Sequence, residues 1–344
     1  MTGLCLWGKE PILYLFGASD ATFPYANDYL SIYLLGTIFV MISLGMNPFI
    51  NAQGFGRIGM MTVALGAAVN LLLDPVFIFL LNMGVKGAAL ATVISQGCSA
   101  IWVLRFLTGS RAILRLRRSA MRLRLRRVKR ILALGFSSFV MALTNALVQI
   151  LCNTTLQRVG GDLYVGVMTV INSVREIVTM PVSGISNGCQ PVLGYNYGAK
   201  QYSRVREGIR FTILASVLYS LLSWSVVMLF PHVFIRIFNS EAELLEAGIP
   251  AFRIYFGAFF CMCFQQIGQS VSVALNRSKS AIFFSLLRKA FIVAPLTVLL
   301  PALGWGVRGV FAAEPISDVV GGLACFIAML FTVYIPLGHR EDNT

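Results

Sequence analysis

The chain of 344 residues is 57% hydrophobic and only 12% charged, and it carries a formal net charge of +14. A soluble domain has roughly half apolar and about a quarter charged residues, so this composition excludes an ordinary soluble protein. It predicts an integral membrane protein whose excess positive charge either faces one side of the bilayer or binds nucleic acid.

Runs of mainly apolar residues follow one another along the chain. Each has about 20 residues or more, enough for a helix to cross the hydrocarbon core of a bilayer. The runs lie at residues 27–51, 59–81, 87–109, 131–156, 163–194, 209–230, 248–275, 281–303 and 309–337. Because lipid offers the backbone no hydrogen-bond partners, we predict an all-α membrane protein with nine transmembrane helices.

The basic residues predict the orientation of these helices. Eleven Lys or Arg residues lie between Arg105 and Arg130. The positive-inside rule explains such a segment between two spans better than nucleic-acid binding does, so it is predicted to be cytoplasmic and to contact anionic lipid. Following the alternation of helices, the C-terminal tail is also predicted to be cytoplasmic.

An internal repeat predicts two related halves. The motif GVKGAALATVISQ at residues 84–96 returns as GVRGVFAAEPISD at residues 306–318, an offset of 222 (306 minus 84). Three spans, 27–109, thus resemble the last three, 248–337. Since six spans separate the copies, both have the same orientation, and a twofold axis along the membrane normal is expected.

The repeat also predicts how the chain is divided. The second half has three helices before its copy of the motif-bearing region, and the first half has no counterpart to them. We therefore predict a six-plus-six parent fold from which about three N-terminal helices are missing. The predicted parts are an incomplete N-terminal lobe (1–109), a basic interlobe loop (110–130), a six-helix C-terminal lobe (131–338) and a cytoplasmic tail (339–344).

Two stretches resemble a known family. AVNLLLDPVFIFLLNMGVKGAALATVISQ and VREIVTMPVSGISNGCQPVLGYNYGAKQYSRVREGIRFT are similar to the multidrug and toxic compound extrusion (MATE) family. The resemblance implies two six-helix lobes and export of organic cations in exchange for sodium ions or protons. By motif it implies a first-lobe cation site at Asn70, Asp74 and Thr92, while a further Asp of that family site has no counterpart here.

The residues themselves suggest why Asp74 could bind a cation. An acid at membrane depth costs several kcal/mol unless it faces protein, water or an ion, and Asn70 lies one helical turn away. Pro75 removes the amide that would bond the Leu71 carbonyl. With Thr92 these oxygens would make a sodium site or a protonatable pocket. The alternative is a buried Asp that only hydrogen-bonds Asn70.

A second polar group is predicted in the C-terminal lobe. Glu314 occupies the repeat position of Thr92, and Asp318 lies one turn further along. Arg175 and Glu176 are predicted to pair with them, either as a structural ion pair or as a proton or substrate-cation site. Gln265 and Gln266 could supply neutral hydrogen bonds to a ligand.

The function that these observations predict is secondary active multidrug efflux by sodium or proton antiport, exporting organic, cationic compounds from the cell. No cofactor, nucleotide motif or catalytic constellation is found in the sequence, so an enzyme is not predicted. We expect a monomer in the plasma membrane. Two alternatives stay open: a non-transporting truncated remnant or scaffold, and a flippase for a lipid-linked substrate, which a cationic central cavity would favour.

Overall fold

The computed structural model describes residues 2–15, 23–117, 124–238 and 242–341. Within these ranges the regular elements are helices and no strand occurs, which confirms the predicted all-α class. The middle of the predicted basic loop, 118–123, and the end of the predicted tail, 342–344, lie outside the described residues.

The helices follow one another with short connections. In chain order they are α1 (Thr2–Trp7), α2 (Lys9–Leu15), α3 (Phe23–Leu35), α4 (Thr37–Ala52), α5 (Gly56–Pro75), α6 (Gly84–Thr108), α7 (Leu125–Gly198), α8 (Tyr202–Leu229), α9 (Pro231–Phe238), α10 (Ala242–Phe256), α11 (Met262–Ala274), α12 (Ser278–Leu286), α13 (Ala294–Leu300), α14 (Gly306–Met329) and α15 (Ile335–Glu341). Turns of π-helix continue several of them, at Val76–Leu80, Leu287–Val293, Pro301–Trp305 and Leu330–Tyr334.

The chain forms two compact units, Met1–Arg122 and Leu123–Thr344. In the first unit, α6 packs against α3, α4 and α5. In the second, α14 packs against α7, α10, α11 and α13, so that its residues are the most thoroughly buried in that unit. A second-unit core of aromatic side chains includes Phe252, Phe256 and Phe311.

Five helical stretches are long and apolar enough to cross a membrane, or seven if each of two bent helix pairs counts as one span. Two of the five, Phe139–Gly198 and Lys279–Gly338, contain 60 residues each. A helix of that length would be about 90 Å long, three times the hydrocarbon thickness. Each stretch is interrupted by a glycine with positive φ, Gly161 at +72° and Gly304 at +91°.

The offset of 222 residues recurs in the helix boundaries. The helix α6 begins at Gly84 and α14 at Gly306, and both glycines have a φ of +54°. The pair α3 and α4 is bent by 57°, and the corresponding pair α10 and α11 by 41°. Each unit therefore contains the same series of a bent helix pair, a helix and a glycine-initiated helix.

Close helix packing depends on glycine at one repeated position. A Cβ on Gly87 would lie 2.7 Å from the Phe77 carbonyl oxygen, and one on Gly309 would lie 2.9 Å from the Leu300 carbonyl carbon. These neighbours are backbone atoms of the preceding helical segment, which cannot rotate away. Gly184, predicted to allow close packing, has no atom of another residue within 4 Å of such a Cβ among the described residues.

We predict that Gly309→Ala lowers the stability of the second unit by about 1–3 kcal/mol, because the new methyl group overlaps the backbone at Leu300. The measurement is thermal unfolding of the purified protein in detergent. Gly184→Ala is the matched control and should be neutral or slightly stabilising, since alanine favours a helix. Equal melting temperatures for the two variants would contradict the packing argument.

Candidate functional site

The first predicted site lies at the end of α5. Asn70 Nδ2 donates a hydrogen bond to Asp74 Oδ1 at 3.2 Å, as expected for side chains one helical turn apart. Both side chains are half-buried. The bond leaves the second carboxylate oxygen of Asp74 without a hydrogen-bond partner among the described residues, so it can accept a proton or a cation.

Thr92 lies on α6, which packs against α5. Its hydroxyl donates to the Ala88 carbonyl of its own helix at 2.9 Å. The structure therefore brings Asn70 to Asp74, but it records no hydrogen bond from Thr92 to either residue within the part of the chain that it describes. The lone pairs of the Thr92 oxygen stay available to a ligand.

The first unit also contains a polar groove that sequence reasoning missed. A cavity of about 230 Å³ lies between α4, α5 and α6. Its polar lining residues are Ser43, Asn47, Thr62, Asn70, Ser95, Gln96 and Ser99. Ser43 donates to Gln96 Oε1 at 2.8 Å, while Asn47 Oδ1 is buried without a hydrogen-bond partner in the described chain. The spacing of Ser95, Gln96 and Ser99 along one apolar span was the available signal.

The second predicted site is organised around one carboxylate oxygen. Glu314 Oε1 accepts a hydrogen bond from Lys289 Nζ at 2.7 Å and from Arg175 NH1 at 3.0 Å. An Arg288 nitrogen lies 3.4 Å from the same oxygen. Three positive charges thus surround one buried carboxylate.

Asp318 extends this group by one turn of α14. Arg288 forms an ion pair with Asp318, and Ser317 donates to the Arg288 carbonyl at 3.3 Å. We call the five side chains Arg175, Arg288, Lys289, Glu314 and Asp318 the Glu314 cluster. All but Arg175, whose side chain is 31% exposed, are buried.

Arg288 and Lys289 are the functional residues that sequence reasoning missed. Both lie in the run 281–303, which was predicted only as an apolar span. Two adjacent cations inside such a run were the signal, since charges at membrane depth need a partner. The π-helical turn Leu287–Val293 carries both of them to α14. Insertions of this kind are frequent at functional sites.

The remaining predicted residues lie apart from the Glu314 cluster. Arg175 joins it as predicted, and also donates to Tyr255 Oη at 3.1 Å. Glu176, the next residue on α7, is exposed and forms no ion pair within the described chain, because consecutive helical residues point about 100° apart. The predicted pairing is therefore correct for Arg175 and wrong for Glu176.

The two glutamines are also outside the cluster. Gln265 is buried, and its Oε1 has no hydrogen-bond partner among the described residues. Gln266 Nε2 donates to Ser183 Oγ at 3.4 Å, between α11 and α7. Their predicted role as ligand contacts stays a prediction.

A pocket of about 50 Å³ opens beside the Glu314 cluster. Arg175, Lys289, Glu314 and Tyr255 form its charged and phenolic part. Four carboxamide side chains also line it: Asn145, Gln149, Asn153 and Asn172. We call it the amide pocket. Asn145, Gln149 and Asn153 repeat every four residues, and so lie on one face of α7.

The two units differ in charge at equivalent positions. By the offset of 222, Arg288 and Lys289 correspond to Gly66 and Ala67, and Asp318 corresponds to Gln96. Gly66, Ala67 and Gln96 all line the polar groove of the first unit. The groove is therefore open and uncharged in the first unit, whereas ionic side chains fill the corresponding region of the second.

Comparison with known proteins places the chain among membrane transporters. A family model described as MatE matches residues 1–76 and 137–299. The chain is 22% identical over 327 residues to the multidrug export protein MepA of Staphylococcus haemolyticus, covering 94% of this chain and 70% of that protein. It is 24% identical over 329 residues to the FAD transporter of Shewanella oneidensis, covering 92% and 71%.

Solved structures share the fold. The MATE multidrug transporter DinF-BH, whose structure is that of a complex, is 36% identical, with a TM-score of 0.88 over 97% of this chain and 75% of that one. An outward-facing multidrug resistance MATE family transporter has a TM-score of 0.90 at 19% identity, over 99% of this chain and 75% of that one.

We predict that Glu314→Gln lowers stability by about 3–5 kcal/mol, because three buried cations lose their shared carboxylate while the side-chain shape is kept. Thermal unfolding in detergent measures the change. Glu176→Gln makes the same substitution at the exposed neighbouring position and should shift the free energy of unfolding by less than about 0.5 kcal/mol. A Glu314→Gln protein as stable as wild type would refute the central role of this carboxylate.

Proposed function

This chain belongs to the MatE family of membrane transporters, and we propose that it is a secondary active exporter of organic compounds, driven by the inward movement of a cation. It is a transporter and not an enzyme. The observation that carries the proposal is a carboxylate next to an amide inside an apolar helix, at Asp74 and Asn70. Ionisable groups in such places belong to ion and substrate pathways.

The proposed membrane architecture has nine transmembrane helices. Counting each bent pair as one span, and dividing each 60-residue stretch at its positive-φ glycine, gives nine within the described ranges. The proposed lobes are residues 1–109 and 131–338, joined by the basic loop 110–130, with the tail 339–344 in the cytoplasm of a cell whose plasma membrane holds the protein as a monomer. The loop's cations would contact anionic lipid.

Asp74 is the proposed ligand of the coupling cation. Asn70 orients its carboxylate, and Thr92 on α6 adds a hydroxyl oxygen. Carboxylate, amide and hydroxyl oxygens are ligands that suit sodium, and the same carboxylate can carry a proton. The coupling ion is therefore sodium or a proton, and no cofactor takes part.

The proposed substrates are small organic compounds. MepA is a multidrug export protein, one relative is an FAD transporter, and the 36% identical DinF-BH is a multidrug transporter. The family resemblance favours organic cations, and Asp74 would attract them in the first unit. The polar groove beside Asn70, at about 230 Å³, offers hydroxyl and amide groups to part of such a molecule.

A flippase for a lipid-linked substrate is the second candidate. The Glu314 cluster favours it, because three cations and two carboxylates leave one positive charge in excess beside the amide pocket. A lipid-linked sugar carries phosphate groups of the opposite sign. Transport of a soluble compound in exchange for a cation distinguishes the first candidate from the second.

We predict that Asp74→Asn abolishes gradient-driven ethidium efflux from cells that express this chain, because the amide can neither bind a proton nor carry the charge that a cation needs. Efflux is followed by fluorescence, with the sodium and proton gradients collapsed separately to identify the coupling ion. Asp162→Asn, at an exposed position, is the matched control and should export normally.

The other outcomes are equally informative. Unchanged efflux by Asp74→Asn would refute the proposed cation site. A well-folded wild-type chain that exports nothing would favour the non-transporting scaffold or the flippase over an efflux transporter.

A further inference from the structure

We propose that the amide pocket of the second unit binds an anionic group, a carboxylate or a phosphate, on the molecule that the protein carries. The inference rests on the proposed function only in that the ligand is a transported molecule. It differs from the expectation of cationic substrates, and it follows from the charges, hydrogen-bond donors and size of this pocket.

The first argument is charge balance. Arg175, Arg288 and Lys289 face Glu314 and Asp318, so the cluster holds one more cation than carboxylates. Arg288 pairs with Asp318, which leaves Arg175 and Lys289 to share Glu314. An uncompensated charge away from water is costly, and an anion beside these two cations would remove that cost.

The second argument is the direction of unused donors. Arg175 donates from NH1 to Tyr255 and Glu314, while its other guanidinium nitrogens have no partner among the described residues. Lys289 uses one ammonium proton for Glu314 and has two more. Both side chains line the amide pocket. Charged donors of this kind make the stronger hydrogen bonds to carboxylate and phosphate oxygens.

The third argument is the neutral part of the lining. None of the carboxamides of Asn145, Gln149, Asn153 and Asn172 forms a side-chain hydrogen bond within the described chain. Each can turn its NH₂ group toward an anion without adding charge. Glu314, the lone acid in the lining, is already engaged by three cations. A cationic ligand would be repelled by the positive charges that an anion would meet favourably.

The fourth argument is size. About 50 Å³ holds a few water molecules or one carboxylate or phosphate group, and not an entire drug-sized compound. The ionic group would therefore enter, while the rest of the molecule lies beyond the exposed side chains of Asn145 and Gln149. The pocket would recognise a functional group rather than a complete shape, which suits a carrier of varied compounds.

The test compares two ligands that differ by one phosphate. Flavin mononucleotide and riboflavin have the same fluorescent ring, and binding to the purified full chain in detergent is followed by fluorescence anisotropy. Wild type should bind the phosphate-bearing ligand about tenfold more tightly or better, the range expected for hydrogen bonds to charged groups. Inorganic phosphate should compete with it and should raise the melting temperature more than chloride at equal ionic strength.

Lys289→Met should remove this preference while the protein stays folded, because two cations and two carboxylates remain in balance. Lys279→Met, the same change at an exposed lysine, should keep it. Gln149→Leu, which leaves the ion pairs intact, should weaken flavin mononucleotide binding by a smaller factor. Equal binding of both flavins, equal effects of the two lysine variants, or binding of neither flavin mononucleotide nor phosphate would overturn the proposal.

Liposomes distinguish the source of the anion. If a lipid headgroup is the ligand, phosphatidylglycerol in phosphatidylcholine liposomes should displace flavin mononucleotide, and if a soluble anion is the ligand it should not. Because binding is measured without transport, loss of the phosphate preference with intact ethidium efflux would reject this inference alone. Intact binding with no efflux would instead reject the proposed antiport.

Discussion

The second unit is organised by the need to pair one buried carboxylate. Glu314 Oε1 draws together α14, the π-helical turn before α13 and the middle of α7, which are far apart in the sequence. Breaking a buried ion pair costs much more than forming it contributes, because the remaining charge loses its partner without regaining water. The consequence is a fixed set of facing helix sides, since apolar packing around Phe252 and Phe311 has little directional preference.

The same repeat has produced two chemically different interiors. In the first unit small residues at Gly66 and Ala67 leave an open groove lined by hydroxyl and amide groups. At the corresponding positions of the second unit, Arg288 and Lys289 occupy that space and bring their own counter-ions. One scaffold thus holds an uncharged polar groove beside a half-buried acid, and a buried ionic network with an excess of positive charge. A transporter that handles a coupling ion and a substrate has use for both.

The contrast bears on how a ligand would be recognised. Asp74 has a carboxylate oxygen that no described protein group satisfies, and such an atom attracts cations. Glu314 is saturated by Arg175, Arg288 and Lys289, so its surroundings attract anions in spite of its own charge. The sign of an acidic residue in a sequence therefore does not predict the sign of the site that it helps to form. Counting all charges within hydrogen-bond distance does.

The sequence by itself determined the all-α class, the membrane setting, the family and the offset of 222 residues, because these depend on hydrophobic run length and on motifs that are local in the chain. It also placed Asn70 with Asp74 and Asp318 with Glu314, since a helix brings residues four apart to one face. Only the tertiary structure decided that Arg288 and Lys289 join Arg175 around Glu314, and that Glu176 does not. Those outcomes depend on a π-helical turn and on the rotation of one helix against another, and side-chain periodicity along a single helix carries no information about either.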